Sequence, residues 1–170
     1  MDVKSFPDYD IYYTDPPWEQ RMVKWFETKM RKDTGVEVKN DIVLILEHMS
    51  KLADKQKPIF IEYSVKGTEA LIDIFETAGH KHHTTVVARY DRGKPHHMIA
   101  FNTDIDIPVD LVMENLVMHC VNKTNAKVVF DSFAGIGYTC KWVKKCGADY
   151  IGYELNPKRF ERLIKEYDRT

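Results

Sequence analysis

The sequence predicts a three-layer α/β sandwich whose sheet is mostly parallel with one antiparallel hairpin, and three observations carry that prediction. Short β-branched and aromatic runs at 11–14, 59–63 and 128–130 alternate with stretches of helical period. The run Val128-Val129-Phe130 leads into a glycine-containing turn, Asp131-Ser132-Phe133-Ala134-Gly135-Ile136-Gly137, and then a helix. Between strand-like stretches at 84–90 and 98–102 lies Asp91-Arg92-Gly93-Lys94-Pro95, which reads as the turn of a hairpin.

Each element has its own signal. Val3 and Phe6 suggest an edge strand before the buried strand 11–14. Residues 19–32 form an amphipathic helix with Met22, Trp25, Phe26 and Met30 on one stripe, so Trp25 and Phe26 are expected in the core, as is Trp142. Asp41 is placed to cap a helix to about residue 55 that buries Ile42, Ile45, Leu46, Met49 and Leu52. His48 and His119 fall in helical stripes and are expected to pack there. Pro58 ends that helix, and Ile59-Phe60-Ile61-Glu62-Tyr63 reads as a central parallel strand. A helix over 68–78 closes at Gly79, where a left-handed residue commonly ends a helix. After the hairpin, Pro108 is expected to open a helix to about residue 121. The glycine-turn strand and its helix follow, then the strand Tyr150-Ile151-Gly152-Tyr153 ending in Glu154, and a last helix opened by Leu155-Asn156-Pro157.

A chain of 170 residues that is 44% apolar and 30% charged is expected to form one globular domain. It holds no apolar run of membrane-spanning length, and its first residues lack a basic-then-apolar leader. The three cysteines, Cys120, Cys140 and Cys146, form no Cys-x-x-Cys pair, which predicts reduced thiols in a cytoplasmic protein and no zinc site. His82-His83 and His96-His97 invite a metal across the hairpin, but solvated hairpin chemistry is the reading preferred, and no metal is expected. A net charge of −1 is far from the basic balance of a dedicated nucleic-acid binder. Any such surface must be local, and the candidates are Arg21 and Lys24 on the first helix with Arg89, Arg92 and Lys94 at the hairpin.

Asp15-Pro16-Pro17-Trp18, directly after the strand 11–14, has the composition to grip an exocyclic amino group. The aspartate and the carbonyl of Pro16 can each accept an N–H, and the prolines fix φ and donate nothing. Trp18 offers a flat face for a heterocycle. Glu154 lies about twenty positions after the glycine turn, where a ribose diol is commonly held in nucleoside-binding α/β folds. Blander readings stand beside these: a plain strand-ending turn for 15–18, a generic nucleotide loop for 131–137, and a helix-capping carboxylate for Glu154.

Taken together, the motifs resemble the amino-group DNA methyltransferases, which methylate adenine N6 or cytosine N4 with S-adenosylmethionine. Asp15-Pro16-Pro17-Trp18 matches that family's catalytic motif, 131–137 its cofactor turn and 150–157 its ribose-binding strand. With the catalytic motif first, the chain resembles the circularly permuted β class. The resemblance implies a Rossmann-like S-adenosylmethionine-dependent sandwich, with a catalytic half over 1–107 and a cofactor half over 108–170. It implies catalytic roles for Asp15, Pro16, Pro17 and Trp18. It also implies cofactor contacts from Pro108, Asp131, Phe133, Ala134, Gly135, Gly137, Thr139, Glu154, Leu155 and Asn156. The substrate it implies is a flipped or single-stranded adenine in DNA, since cytosine enzymes more often open the tetrapeptide with serine. Only residues 103–107 separate the hairpin from the next element, so the usual target-recognition insertion is missing, which implies low sequence specificity and either a homodimer or a partner subunit. Cytosine-N4 or RNA-adenine methylation, and a non-catalytic S-adenosylmethionine-binding subunit, are the alternatives.

Overall fold

The computed structural model describes residues 7–90 and 93–169; the expected edge strand at Val3 and Phe6 lies outside them. Six strands, β1 (Ile11–Thr14), β2 (Ile59–Tyr63), β3 (His82–Arg89), β4 (Pro95–Phe101), β5 (Val128–Asp131) and β6 (Asp149–Gly152), form one sheet in the order β3-β4-β2-β1-β5-β6. β1 pairs parallel with β2 and with β5, and β5 with β6, whereas β4 runs antiparallel to both β2 and β3. This is the expected open, mostly parallel sheet with a single hairpin. β1 is only four residues long and wholly buried, as a strand covered on both faces should be.

Successive side chains of β1 point to opposite faces and so build two cores. Tyr13 packs with Phe60, Met98 and Val129 against α4 (Met113–Thr124) and α5 (Tyr138–Lys145). Tyr12 packs with Ile61, Phe101 and Phe130 against α2 (Ile42–Leu52) and α3 (Thr68–Thr77). Asp41 caps α2 as expected, accepting the Val43 N–H at 2.8 Å. Two more helices, α1 (Gln20–Thr34) and α6 (Pro157–Arg169), are joined by Asp33, which accepts from Asn156 Nδ2 at 3.0 Å and pairs with Lys158.

Several expectations need correction. α4 begins at Met113, not at Pro108. The intervening residues serve the sheet instead: Asp110, at φ +60°, donates its N–H to Val87 O at 2.7 Å, and Arg89 N–H reaches Leu111 O at 3.1 Å. Those bonds cover part of the β3 edge, which would otherwise leave donors and acceptors open. Trp25 is 55% exposed and lies edge-on to Phe26 rather than in the core. His48 is exposed, and His119 is half-buried with its imidazole on Asp106 O. In the hairpin register His82 faces Phe101, while His96 and His97 face Ala88 and Val87, so the two His pairs are not opposite each other. Among the described residues no group of three or more His, Cys, Asp or Glu could hold a metal, and all three cysteines are free. No helix among them is long and apolar enough to cross a membrane.

Candidate functional site

The direction of the chain through the sheet reverses between β1 and β5: β1 continues to β2 on one side, β5 to β6 on the other. Ligands of open α/β sheets bind beyond the carboxyl ends of strands at such a point. Both sequence motifs leave the sheet there. Thr14 Oγ1, the last residue of β1, donates to Asp131 Oδ1, the last of β5, at 2.8 Å, so the two turns are fastened together at their roots.

A cavity of about 630 Å³ opens over this edge, in the ~300–1,000 Å³ range of small-molecule sites. All four residues of the tetrapeptide line it. So do Phe133, Ala134, Gly135, Thr139, Glu154, Leu155 and Asn156 from the segments that follow β5 and β6, and Lys94 from the hairpin. Another wall comes from α1, through Met22, Val23, Phe26 and Met30. The apolar stripe that sequence assigns to a core face is therefore largely a pocket wall.

Asp15 is held by two internal donors. Trp18 Nε1–H donates to Oδ1 at 2.7 Å and Tyr90 O–H to Oδ2 at 3.1 Å. Burial, and after it the neighbouring carboxylate of Glu62, push the Asp15 carboxyl well above the usual carboxylate range. Tyr90 is likewise raised, by burial and then by Asp15, so it remains a donor. A carboxylate offers about four lone-pair sites, so two internal donors leave room for an incoming N–H.

The glycine turn is shaped by backbone and packing. Gly135 and Gly137 sit at φ +59° and +93°, a region that side-chain-bearing residues rarely adopt. A Cβ on Gly137 would also stand 3.4 Å from the Cα of Leu163 in α6. Gly137 therefore lets the last helix approach, and it does not itself line the cavity. Asp131 does not line it either. It is 1% exposed and accepts from Thr14 Oγ1, Phe133 N–H and Tyr150 O–H, each at 2.8–2.9 Å, so it organises the turn from beneath. Desolvation, partly offset by these bonds, raises its pKa to about 6. Pro108, expected as a further contact, is absent from the cavity because it belongs to the segment that covers β3.

Glu154 is partly committed to partners within the chain. Oε1 accepts the Asn156 N–H at 2.7 Å and Oε2 lies 3.2 Å from Arg159 Nε, yet the side chain stays 12% exposed at the cavity. Its spare lone pairs suit two hydroxyl donors. Asn156 is mostly structural: its Oδ1 caps α6 through Lys158 and Arg159 N–H, and its Nδ2 reaches Asp33. Exposed Tyr153 and Leu155 flank Glu154 with apolar surface. This set of a bent glycine turn, a cavity-facing carboxylate and flanking apolar side chains fits a nucleoside-bearing cofactor.

Of the candidate nucleic-acid residues, Lys94 reaches the cavity. Arg21 and Lys24 are exposed on α1, and Arg89 pairs with Asp110 at 2.8 Å. Arg92 lies outside the described residues. Sequence reasoning missed Glu62, His96 and Tyr90. Glu62 had a legible signal, a lone charge inside an otherwise apolar central strand; the other two become visible only once the hairpin folds over the tetrapeptide.

The family model described as DNA methylase, of the N6/N4 class, matches residues 102–166, which hold α4, the glycine turn and Glu154. The S-adenosylmethionine complex of M1.HpyAVI is similar in structure with a TM-score of 0.66 at 14% identity, over 94% of this chain and 89% of that one. TTHA0409 from Thermus thermophilus, complexed with S-adenosyl-L-methionine, gives 0.63 at 13% identity, over 97% and 90%. The cytosine-N4-specific PvuII DNA methyltransferase gives 0.59 at 11% identity, over 94% and 84%. No curated protein matches the sequence. The chain thus resembles the amino-group DNA methyltransferases in motifs, in fold and, over 102–166, in family signature, and the likeness extends to a cytosine-N4 enzyme.

Proposed function

We propose that this chain is a DNA methyltransferase of the N6/N4 amino class that uses S-adenosylmethionine, with adenine N6 as its target. The observation that carries the reading is the cavity at the strand-order reversal, where the Asp15 turn and the Glu154 carboxylate share one continuous space. When bound, the cofactor supplies an electrophilic methyl group on a sulfonium. The chain's own residues do the rest by positioning and electrostatics. Asp15 and the Pro16 carbonyl accept the two N–H groups of the target amine, which turns its lone pair away from ring conjugation. Trp18 and Tyr90 supply flat faces for a base that is flipped or already single-stranded. Glu154 accepts from the ribose hydroxyls, and the backbone of Phe133-Ala134-Gly135 borders the rest of the cofactor. Asp15 can take the proton the amine releases, so no stronger base is required. Asp15 as the first residue of the tetrapeptide, rather than serine, favours adenine. Lys94, Arg21, Lys24 and Arg89 are the candidate phosphate contacts.

The test is nucleoside mass spectrometry after incubation with S-adenosylmethionine and unmethylated single- or double-stranded DNA or RNA, beside Asp15→Ala. The expected product is N6-methyladenine in DNA from the wild type alone. N4-methylcytosine would change the base, and a product in RNA alone would change the substrate class. Cofactor binding without any product would favour a non-catalytic subunit. The rate should rise with pH through an ionisation well above the ordinary carboxylate range, because Asp15 must be ionised to take the proton the amine releases and its pKa is raised. A pH-independent rate down to the usual carboxylate range would reject that role for Asp15.

A further inference from the structure

Beneath the tetrapeptide lies a polar cluster that packing alone does not require. Glu62 is 1% exposed and His96 fully buried. Tyr13 O–H donates to Glu62 Oε1 at 2.7 Å. Glu62 Oε2 stands 2.8 Å from His96 Nε2, but without hydrogen-bond alignment, and neither imidazole nitrogen has a hydrogen-bond partner among the described residues. Burying a carboxylate beside an imidazole carries a desolvation cost that apolar residues of similar volume would avoid.

The imidazole is the floor of an aromatic group. Trp18 stacks on His96 with ring centroids 5.7 Å apart and planes 28° apart, and Tyr90 lies over it at 4.5 Å and 32°. Trp18 and Tyr90 also contact each other, at 5.4 Å. These are the two rings that donate to Asp15, one to each carboxylate oxygen. A continuous path of contacts therefore runs from Tyr13 through Glu62 and His96 to the two rings, and from them to the Asp15 carboxylate.

We infer that Glu62 and His96 are positioning residues for Asp15: Glu62, anchored by Tyr13, fixes the imidazole against which Trp18 and Tyr90 rest, and so fixes the two donors that aim the carboxylate. This rests on the reading of Asp15 as the residue that grips the amine. Glu62 reaches the cavity wall at only 1% exposure and His96 does not line it, so the role of both runs through Trp18 and Tyr90, and neither belongs to the glycine turn or the Glu154 strand.

The experiment follows the Trp18 indole N–H by 15N NMR, its resonance identified with Trp18→Phe, in the wild type, Glu62→Ala, His96→Ala and Glu62→Gln. Turnover and calorimetric affinity for S-adenosylmethionine are measured on the same proteins. Glu62→Ala and His96→Ala should each lower hydrogen-exchange protection of that N–H, and turnover, by about tenfold or more while cofactor affinity holds. Glu62→Gln keeps an acceptor for Tyr13 and offers an N–H to His96, so it should restore both. Wild-type protection in both alanine variants would overturn the inference, as would Glu62→Gln behaving like Glu62→Ala. If an alanine variant fails to fold, His96→Gln, polar but without a ring, carries the same expectation and the same refutation. A wild type that methylates no nucleic acid would defeat the functional reading alone, since the Trp18 N–H still decides the positioning.

Discussion

Asp131 shows how one side chain can look like a ligand contact and act as a foundation. Its place ahead of the glycine turn suggests a hand on the cofactor, yet it is 1% exposed and its bonds to Thr14, Phe133 and Tyr150 hold the turn from beneath. Its pKa is raised to about 6 from 3.8, with burial as the largest cause. A carboxyl whose folded pKa is raised contributes its full stability below the unfolded pKa, and that contribution is lost as pH rises through the folded pKa. The displacement corresponds to about 3 kcal/mol of ionisation cost above pH 6. Asp131→Asn keeps the Thr14 and Phe133 bonds on its amide oxygen and can donate to Tyr150. Its denaturant midpoint should therefore exceed the wild type's at pH 8 and approach it near pH 4; a wild type that is the more stable at pH 8 would refute this account. No sequence pattern gives this sign, because it depends on water being excluded from a carboxylate that Thr14 reaches from 117 positions away.

At the scale of elements, local chemistry was legible where it is short-range. The α2 cap is such a case: Asp41 accepts from Val43 two residues on, and sequence alone places it. Asp41→Ala should cost about 1 kcal/mol in urea unfolding, and a loss near zero would mean that α2 is held by packing of Leu46 and Met49 alone. Elements whose fate depends on distant partners were misread. Pro108 is a good helix opener, but the unpaired edge of β3 competes for the same segment and takes it. The stripe of α1 has a helical period, which says that one face is sheltered without saying by what. Met22, Phe26 and Met30 turn out to shelter a cavity, and Trp25 is left in solvent beside Phe26.

The whole molecule brings the Asp15–Trp18 turn after β1 and the glycine turn after β5 side by side at the carboxyl ends of the two strands, through the β1–β5 pairing. No recognition insertion separates β4 from α4, and net charge is −1, so on the functional reading contact with nucleic acid is local and reads little sequence. Changing any single base pair beside the target should alter the methylation rate by less than about threefold, below the ~1–3 kcal/mol of a reading contact. A tenfold or larger preference would contradict it. The sequence by itself determined the alternation of strands and helices, the hairpin, the two motif turns and the cap of α2, because each depends on chemistry within a few residues. Only the tertiary structure decided that Glu62, His96 and Tyr90 stand behind Asp15, that Asp131 faces inward, and that the α1 stripe walls a cavity. The reason is that burial and long-range pairing set which neighbour a side chain meets, and neither is written in local spacing.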